Sequence, residues 1–221
     1  ILSNVFLHYV LDLWFEKRVK PQAQGCCYLV RYADDFLCMV QNKEDAEHIK
    51  RELQERFAKF DLELHPEKTV VMSFGRYESE NAKRQNRRAN TFDFLGFTHF
   101  SGKSRGGKFI VGRKTSAKKF RKKCEEMNVW LKAIRNMVAT KDWWPVLVAK
   151  LRGHYQYYGV SGNMASLRRY YATILRLARK WLNRRSQRGA LGWKRFMEYL
   201  KHYPLPTPRI MHNLYTLRPI V

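Results

Sequence analysis

The feature that most constrains this chain is a change of hydrophobic period near Thr115. Beyond it, apolar residues recur every three or four positions. Phe120, Cys124, Met127, Leu131, Ile134 and Val138 form one stripe, and Trp144, Leu147, Leu151, Tyr155 and Tyr158 a second. Gly159 to Gly162 breaks the pattern, and Leu167, Tyr171, Ile174, Ala178 and Trp181 resume it. Gly189 and Gly192 end that segment. Trp193, Phe196 and Leu200 then predict a short helix before Pro204, Pro206 and Pro208. Long stripes joined by short breaks predict a small helix bundle.

Upstream the pattern is mixed. Residues 3 to about 18 read as a helix capped by Ser3, with Phe6, Tyr9, Val10, Leu13 and Trp14 inward and Asp12 and Glu16 on its solvated face. Pro21 to Gly25 reads as a linker. Asn42 caps a second helix, with Glu44 and Asp45 in its first turn and Ala46, Ile49, Leu53, Phe57 and Phe60 buried. Leu62 and Leu64 alternate with acids as on a half-buried strand, His65 to Lys68 makes a turn, and Thr69 to Phe74 reads as another strand. Residues 75–91 read as an exposed loop. Phe92, Phe94 and Phe97 mark a short aromatic strand segment, and Lys108 to Val111 closes a hairpin after the Gly102–Gly107 turn. The expectation is an α+β chain.

Charge divides the chain in the same way. Residues 1–100 carry 15 Lys/Arg and 15 Asp/Glu, whereas residues 101–195 carry 25 and 3, within a total net charge of +24. A field of that size self-repels unless phosphates or counterions neutralise it, which points to a polyanionic partner. An anionic membrane surface is the weaker reading, because the basic helices also carry a full core stripe. No apolar run approaches the ~20 residues of a membrane span. Cys26, Cys27, Cys38 and Cys124 form no C-x-x-C pair, so a zinc site and a disulfide framework are disfavoured and a reducing, cytoplasmic setting fits best.

Against this background Tyr32-Ala33-Asp34-Asp35 stands out. It lies between two apolar runs of strand length, Cys26–Val30 and Phe36–Val40. Asp is common in solvated turns. Two adjacent acids at the tip of a burial-prone hairpin can also share one divalent ion, as metal-assisted nucleotidyl transfer requires.

The stretch resembles the Y/F-x-D-D motif of reverse transcriptases. Leu64-His65-Pro66-Glu67-Lys68-Thr69 resembles that family's lysine-bearing turn, and Phe94-Leu95-Gly96-Phe97 its primer-grip hairpin. Within the family the chain is most similar to group II intron reverse transcriptase/maturases. Leu2 to Tyr9 resembles the helix after their Pro-Gln-Gly motif. Leu151 to Gly159, Trp181 to Ser186 and Pro204 to Ile210 resemble their thumb, or domain X.

The resemblance implies a partial palm (antiparallel sheet with helices) over residues 1–113 and an all-α thumb bundle over 114–221. It implies an RNA-directed DNA polymerase that also binds intron RNA to assist splicing, with RNA, a DNA primer and dNTPs as partners and two Mg²⁺ ions as cofactors. Asp34 and Asp35 take the metal-ligand roles, Lys68 a role at the pyrophosphate, and Phe94, Leu95, Gly96 and Phe97 the primer grip. Lys118, Lys119, Lys122, Arg152, Arg168, Arg169, Arg176, Arg179, Lys180, Arg184 and Arg185 are the expected nucleic-acid contacts.

The family's other catalytic aspartate precedes the Pro-Gln-Gly motif and has no counterpart here. A fragment inactive by itself is therefore expected. The competing readings are a non-catalytic RNA-binding remnant and a domesticated relative used in defence or diversification.

Overall fold

The computed structural model describes residues 1–104, 106–185 and 190–215, so Ser186 and Gly189 lie outside the described residues. Two compact units divide between Ser73 and Phe74.

The first unit opens with helix α1 (Leu2–Leu7), which runs on through two π-helical stretches, His8–Asp12 and Phe15–Val19, into α2 (Lys20–Gln22). The π geometry widens the turn. Residues four and five apart, Val10 or Leu11, Phe15 and Val19, thereby share the buried face. This displaces the expected stripe. Phe6 and Tyr9 are exposed, and Ser3 lies inside the helix, with Ile1 at the cap position.

Strands β1 (Cys27–Tyr32) and β2 (Asp35–Val40) pair antiparallel around a two-residue turn. The expected burial of both runs holds for one face only. Cys27, Leu29 and Cys38 pack with Phe15, Val19 and Ile49, while Tyr28, Val30, Tyr32 and Met39 point outward. Helix α3 (Lys43–Ala58) follows, with Asn42 at its N-cap and Ile49, Leu53 and Phe57 buried. Asp45 in its first turn is buried, and its carboxylate accepts from the Gln24 and Gly25 amides, which ties the linker to the helix.

The strands expected at Leu62–Leu64 and Thr69–Phe74 do not form. Leu62 and Leu64 do pack against Leu53 and Phe57 as their alternation predicts. A strand also needs a ladder partner for its backbone, and these segments have none among the described residues.

In the second unit the segment 75–91 is more ordered than expected. It contains α4 (Glu78–Arg84), anchored by Glu78. That carboxylate is 2% exposed, pairs with Arg87 and accepts from the Asn90 amide. A three-stranded antiparallel sheet follows, β3 (Thr91–Phe94), β4 (Phe97–Lys103) and β5 (Phe109–Thr115), in that spatial order.

Four helices complete the unit: α5 (Ala117–Ile134), α6 (Thr140–Tyr158), α7 (Met164–Asn183) and α8 (Trp193–His202). Ser116 caps α5 by accepting from the Lys119 amide. The predicted stripes meet in one core around Leu131, Leu147, Leu151, Leu167, Ile174, Ala178 and Phe196. Tyr170, rather than Tyr171, is the fully buried member of the third stripe.

Asn163 locks sheet to helices. Its Oδ1 accepts from the Thr115 amide, and its Nδ2 donates to Thr115 Oγ1 and the Tyr158 carbonyl. Gly159 ends α6 where a Cβ would lie 2.2 Å from the Tyr155 carbonyl oxygen, so only glycine fits. The antiparallel sheets and helices make the chain α+β.

Candidate active-site turn and nucleic-acid surface

Asp34 and Asp35 are exposed rather than buried at the hairpin tip. Ala33 and Asp34 form the turn, and Asp35 is the first residue of β2, opposite Tyr32. Strand alternation places Asp35 on the outward face with Tyr32 and Leu37, at one end of the apolar strip of Tyr28, Val30 and Met39. Neither carboxylate forms an ion pair among the described residues.

Ala33 has φ 55°, at the first central position of a two-residue turn, where glycine is usual. Holding alanine there costs about 1–2 kcal/mol. The neighbouring Arg31 stabilises it. Its Nη1 donates to the Ala33 carbonyl at 2.8 Å and to Asn4 Oδ1 at 3.1 Å. The rest of the guanidinium forms a two-pronged contact with Asp12, at 2.7 and 2.6 Å.

Asp12 is therefore an ion-pair partner, not a residue of a solvated face. Hydrogen bonding to Arg31 holds its carboxyl below the usual range, against an opposing effect of burial. The same bond raises Arg31 above its ordinary value. Sequence reasoning passed over Arg31. The available signal was a cation on the inward side of an otherwise apolar strand, which demands a buried partner.

Lys68 is exposed in a turn closed by its own amide and that of Thr69 on the His65 carbonyl. No ion pair links it to Asp34 or Asp35.

In the second unit, Leu95 and Gly96 form a two-residue turn with φ 49° and 80°. Two positive φ values match strand twist, but leucine pays a steric penalty at the first. The Tyr157 hydroxyl donates to the Leu95 carbonyl at 3.0 Å, and the Ser116 amide to the Gly96 carbonyl at 3.0 Å. Phe97 stacks on Tyr157, and a Cβ at Gly96 would meet the Tyr158 hydroxyl at 3.3 Å. Phe94 and Phe97 face each other across the turn.

Helices α5 and α7 run side by side in the same direction. Phe120 meets Tyr170 near their starts, and Asn128 accepts from the Trp181 indole further along. Lys118, Lys119 and Lys122 on α5 and Arg168, Arg169, Arg176 and Lys180 on α7 are exposed, as are Arg184 just past the end of α7 and Arg152 on α6.

Two expected contacts differ. Arg179 is half-buried, donates to the Leu191 carbonyl and lies 4.4 Å from the Trp193 ring centre. Arg185 donates to the Val138 carbonyl at 2.9 Å. Both guanidiniums hold the bundle together. Tyr155, Tyr158 and Tyr170 are core residues, whereas Tyr157 is 55% exposed.

Asp34 and Asp35 offer hard oxygen donors that suit Mg²⁺, an ion commonly held by one or two carboxylates plus substrate phosphates. Among the described residues no group of three or more His, Cys, Asp or Glu side chains could hold a metal.

Exposed paired acids on one unit and an exposed field of cations on the other suit a protein that handles phosphodiesters. Residues 1–99 match the reverse transcriptase (RNA-dependent DNA polymerase) family model. The match covers the Asp34–Asp35 turn, Lys68, α4 and the Phe94–Phe97 turn, and ends within β4, before α5 to α8. No curated protein matches the chain.

Proposed function

We propose that this chain is the distal palm and thumb of an RNA-directed DNA polymerase of the group II intron type, which also binds intron RNA to assist splicing. The observation that carries the reading is the strained, braced turn presenting two unpaired carboxylates inside the segment that matches the reverse transcriptase model.

Asp34 and Asp35 would hold Mg²⁺. The chemistry that two such ions supply is activation of a primer 3′-hydroxyl and neutralisation of the departing pyrophosphate. The carboxylates keep their oxygens free for this role because Arg31 is committed to Asp12 and the Ala33 carbonyl. Lys68, exposed and without an ion pair among the described residues, is available to a polyphosphate. Leu95 and Gly96 present backbone at a turn whose geometry Tyr157 maintains, the role assigned to a primer grip. The exposed cations of α5 and α7 engage phosphates of a duplex or of structured RNA.

Primer extension by the full-length protein tests the reading. Asp34→Ala abolishes DNA synthesis while leaving RNA affinity within about twofold, since only synthesis needs the metal ligands. Undiminished synthesis would sink the assignment.

A further inference from the structure

We infer that Arg31 and Asp12 are positioning residues that set the conformation of the acid turn, and through it the metal-binding geometry of Asp34 and Asp35. The inference rests on the polymerase reading but names residues to which that reading gives no role.

Ala33 occupies a backbone region that L-residues rarely adopt, without the glycine that would make it easy. Such strain persists only where the surroundings over-determine it. Here one side chain does so. Arg31 reaches along its own strand to the Ala33 carbonyl, and its position is fixed from the other side by both oxygens of Asp12. Asn4 takes a further contact from the same nitrogen, and His8 lies 3.4 Å from the Asp12 carboxylate.

Asp12 and Asn4 both belong to the opening helical run, so that helix is coupled to the turn through one guanidinium. The Arg31 side chain is only 13% exposed and its two bonds to Asp12 are partly buried, whereas its bonds to Asn4 and the Ala33 carbonyl lie at the surface. Lysine has no planar fork and can reproduce either the carbonyl contact or the carboxylate contact, but not all of them together.

The experiment uses the full-length protein with a defined template–primer. Arg31→Lys and Asp12→Asn lower kcat by about tenfold or more and raise the Mg²⁺ concentration for half-maximal rate several-fold, with KM for template–primer within about twofold, because only interactions at the reacting centre are disturbed. Lys20→Ala, which removes an exposed pair with Glu16, leaves all three unchanged.

A second readout is independent of activity. Hydrogen exchange at the Asp34 and Asp35 amides accelerates in both brace variants while exchange in α3 does not. Normal kcat, normal Mg²⁺ dependence and unchanged exchange in Arg31→Lys overturn the brace even where Asp34→Ala is inactive. If Asp34→Ala retains synthesis, the polymerase assignment fails instead, and the exchange measurement alone decides whether Arg31 holds the turn.

Discussion

At the scale of single residues, the consequential side chains are polar groups in apolar surroundings. Asn163 is 1% exposed and serves three partners on β5 and α6. Asn163→Ala removes the side-chain acceptor of the buried Thr115 amide and the partner of Thr115 Oγ1, while the Tyr158 carbonyl keeps the Val160 amide; it is expected to cost about 2–3 kcal/mol in chemical denaturation. His154 is stacked on Tyr170, with ring centres 3.7 Å apart, and also packs on Tyr155 and Tyr158. Burial, aided by the charge of Lys123, lowers its pKa from 6.5 to about 4.

The unfolded chain therefore gains a proton near pH 6.5 that the folded chain refuses until about pH 4. Stability is unaffected above this window, falls across it by about 3 kcal/mol, and levels off below it. Denaturation midpoints measured from pH 7 to pH 4 check this, and His154→Gln should remove that part of the slope. None of these partnerships was legible in the sequence. Asp12, Arg31, Asp45 and Glu78 looked like ordinary surface charges, because hydrophobic period says nothing about which charged residue meets another across distant elements.

At the scale of elements, helix stripes and turns were the most legible. The helices α5 to α8 arose where the apolar period placed them, since a four-turn stripe can be buried in few ways. The failures were strands. Leu62–Leu64 alternates correctly and packs correctly, yet strand status depends on a neighbour's backbone rather than on its own side chains.

The Leu95–Gly96 turn illustrates the same dependence. Gly96→Ala introduces a Cβ at φ 80°, close to the Tyr158 hydroxyl, and is expected to destabilise the unit by about 1–2 kcal/mol. Tyr157→Phe keeps the stack on Phe97 and loses only the bond to the Leu95 carbonyl, so the melting temperature changes little. In full-length protein it should raise KM for the template–primer more than it lowers kcat. An unchanged KM in primer extension would remove Tyr157 from the grip.

At the scale of the whole molecule, charge asymmetry is the dominant property. On the proposed reading, six phosphate contacts by the exposed lysines and arginines would make RNA affinity fall about a thousandfold between about 50 and 200 mM salt. Lys118→Glu with Lys122→Glu should make that salt slope shallower by about two while leaving the melting temperature unchanged. Arg185 behaves differently. Arg185→Ala removes the donor to Val138 and lowers stability by about 1.5 kcal/mol, which separates a structural arginine from a binding one. Filter binding over a salt series, paired with thermal melts, distinguishes the two classes.

The sequence by itself determined what is local or cumulative. The α+β mixture, the helical period after Thr115, the hairpin with the acid pair at its tip and the unequal division of charge all follow from nearest neighbours in the chain or from simple sums over it. Only the tertiary structure decided that Asp34 and Asp35 are exposed, that their turn is strained at Ala33, and that Arg31 and Asp12 hold it. Those facts depend on groups distant in sequence brought within hydrogen-bond reach, and on π-helical turns that rotate Val10, Leu11, Phe15 and Val19 onto one buried face. Burial and pairing are properties of the packed chain, and no window of residues contains them.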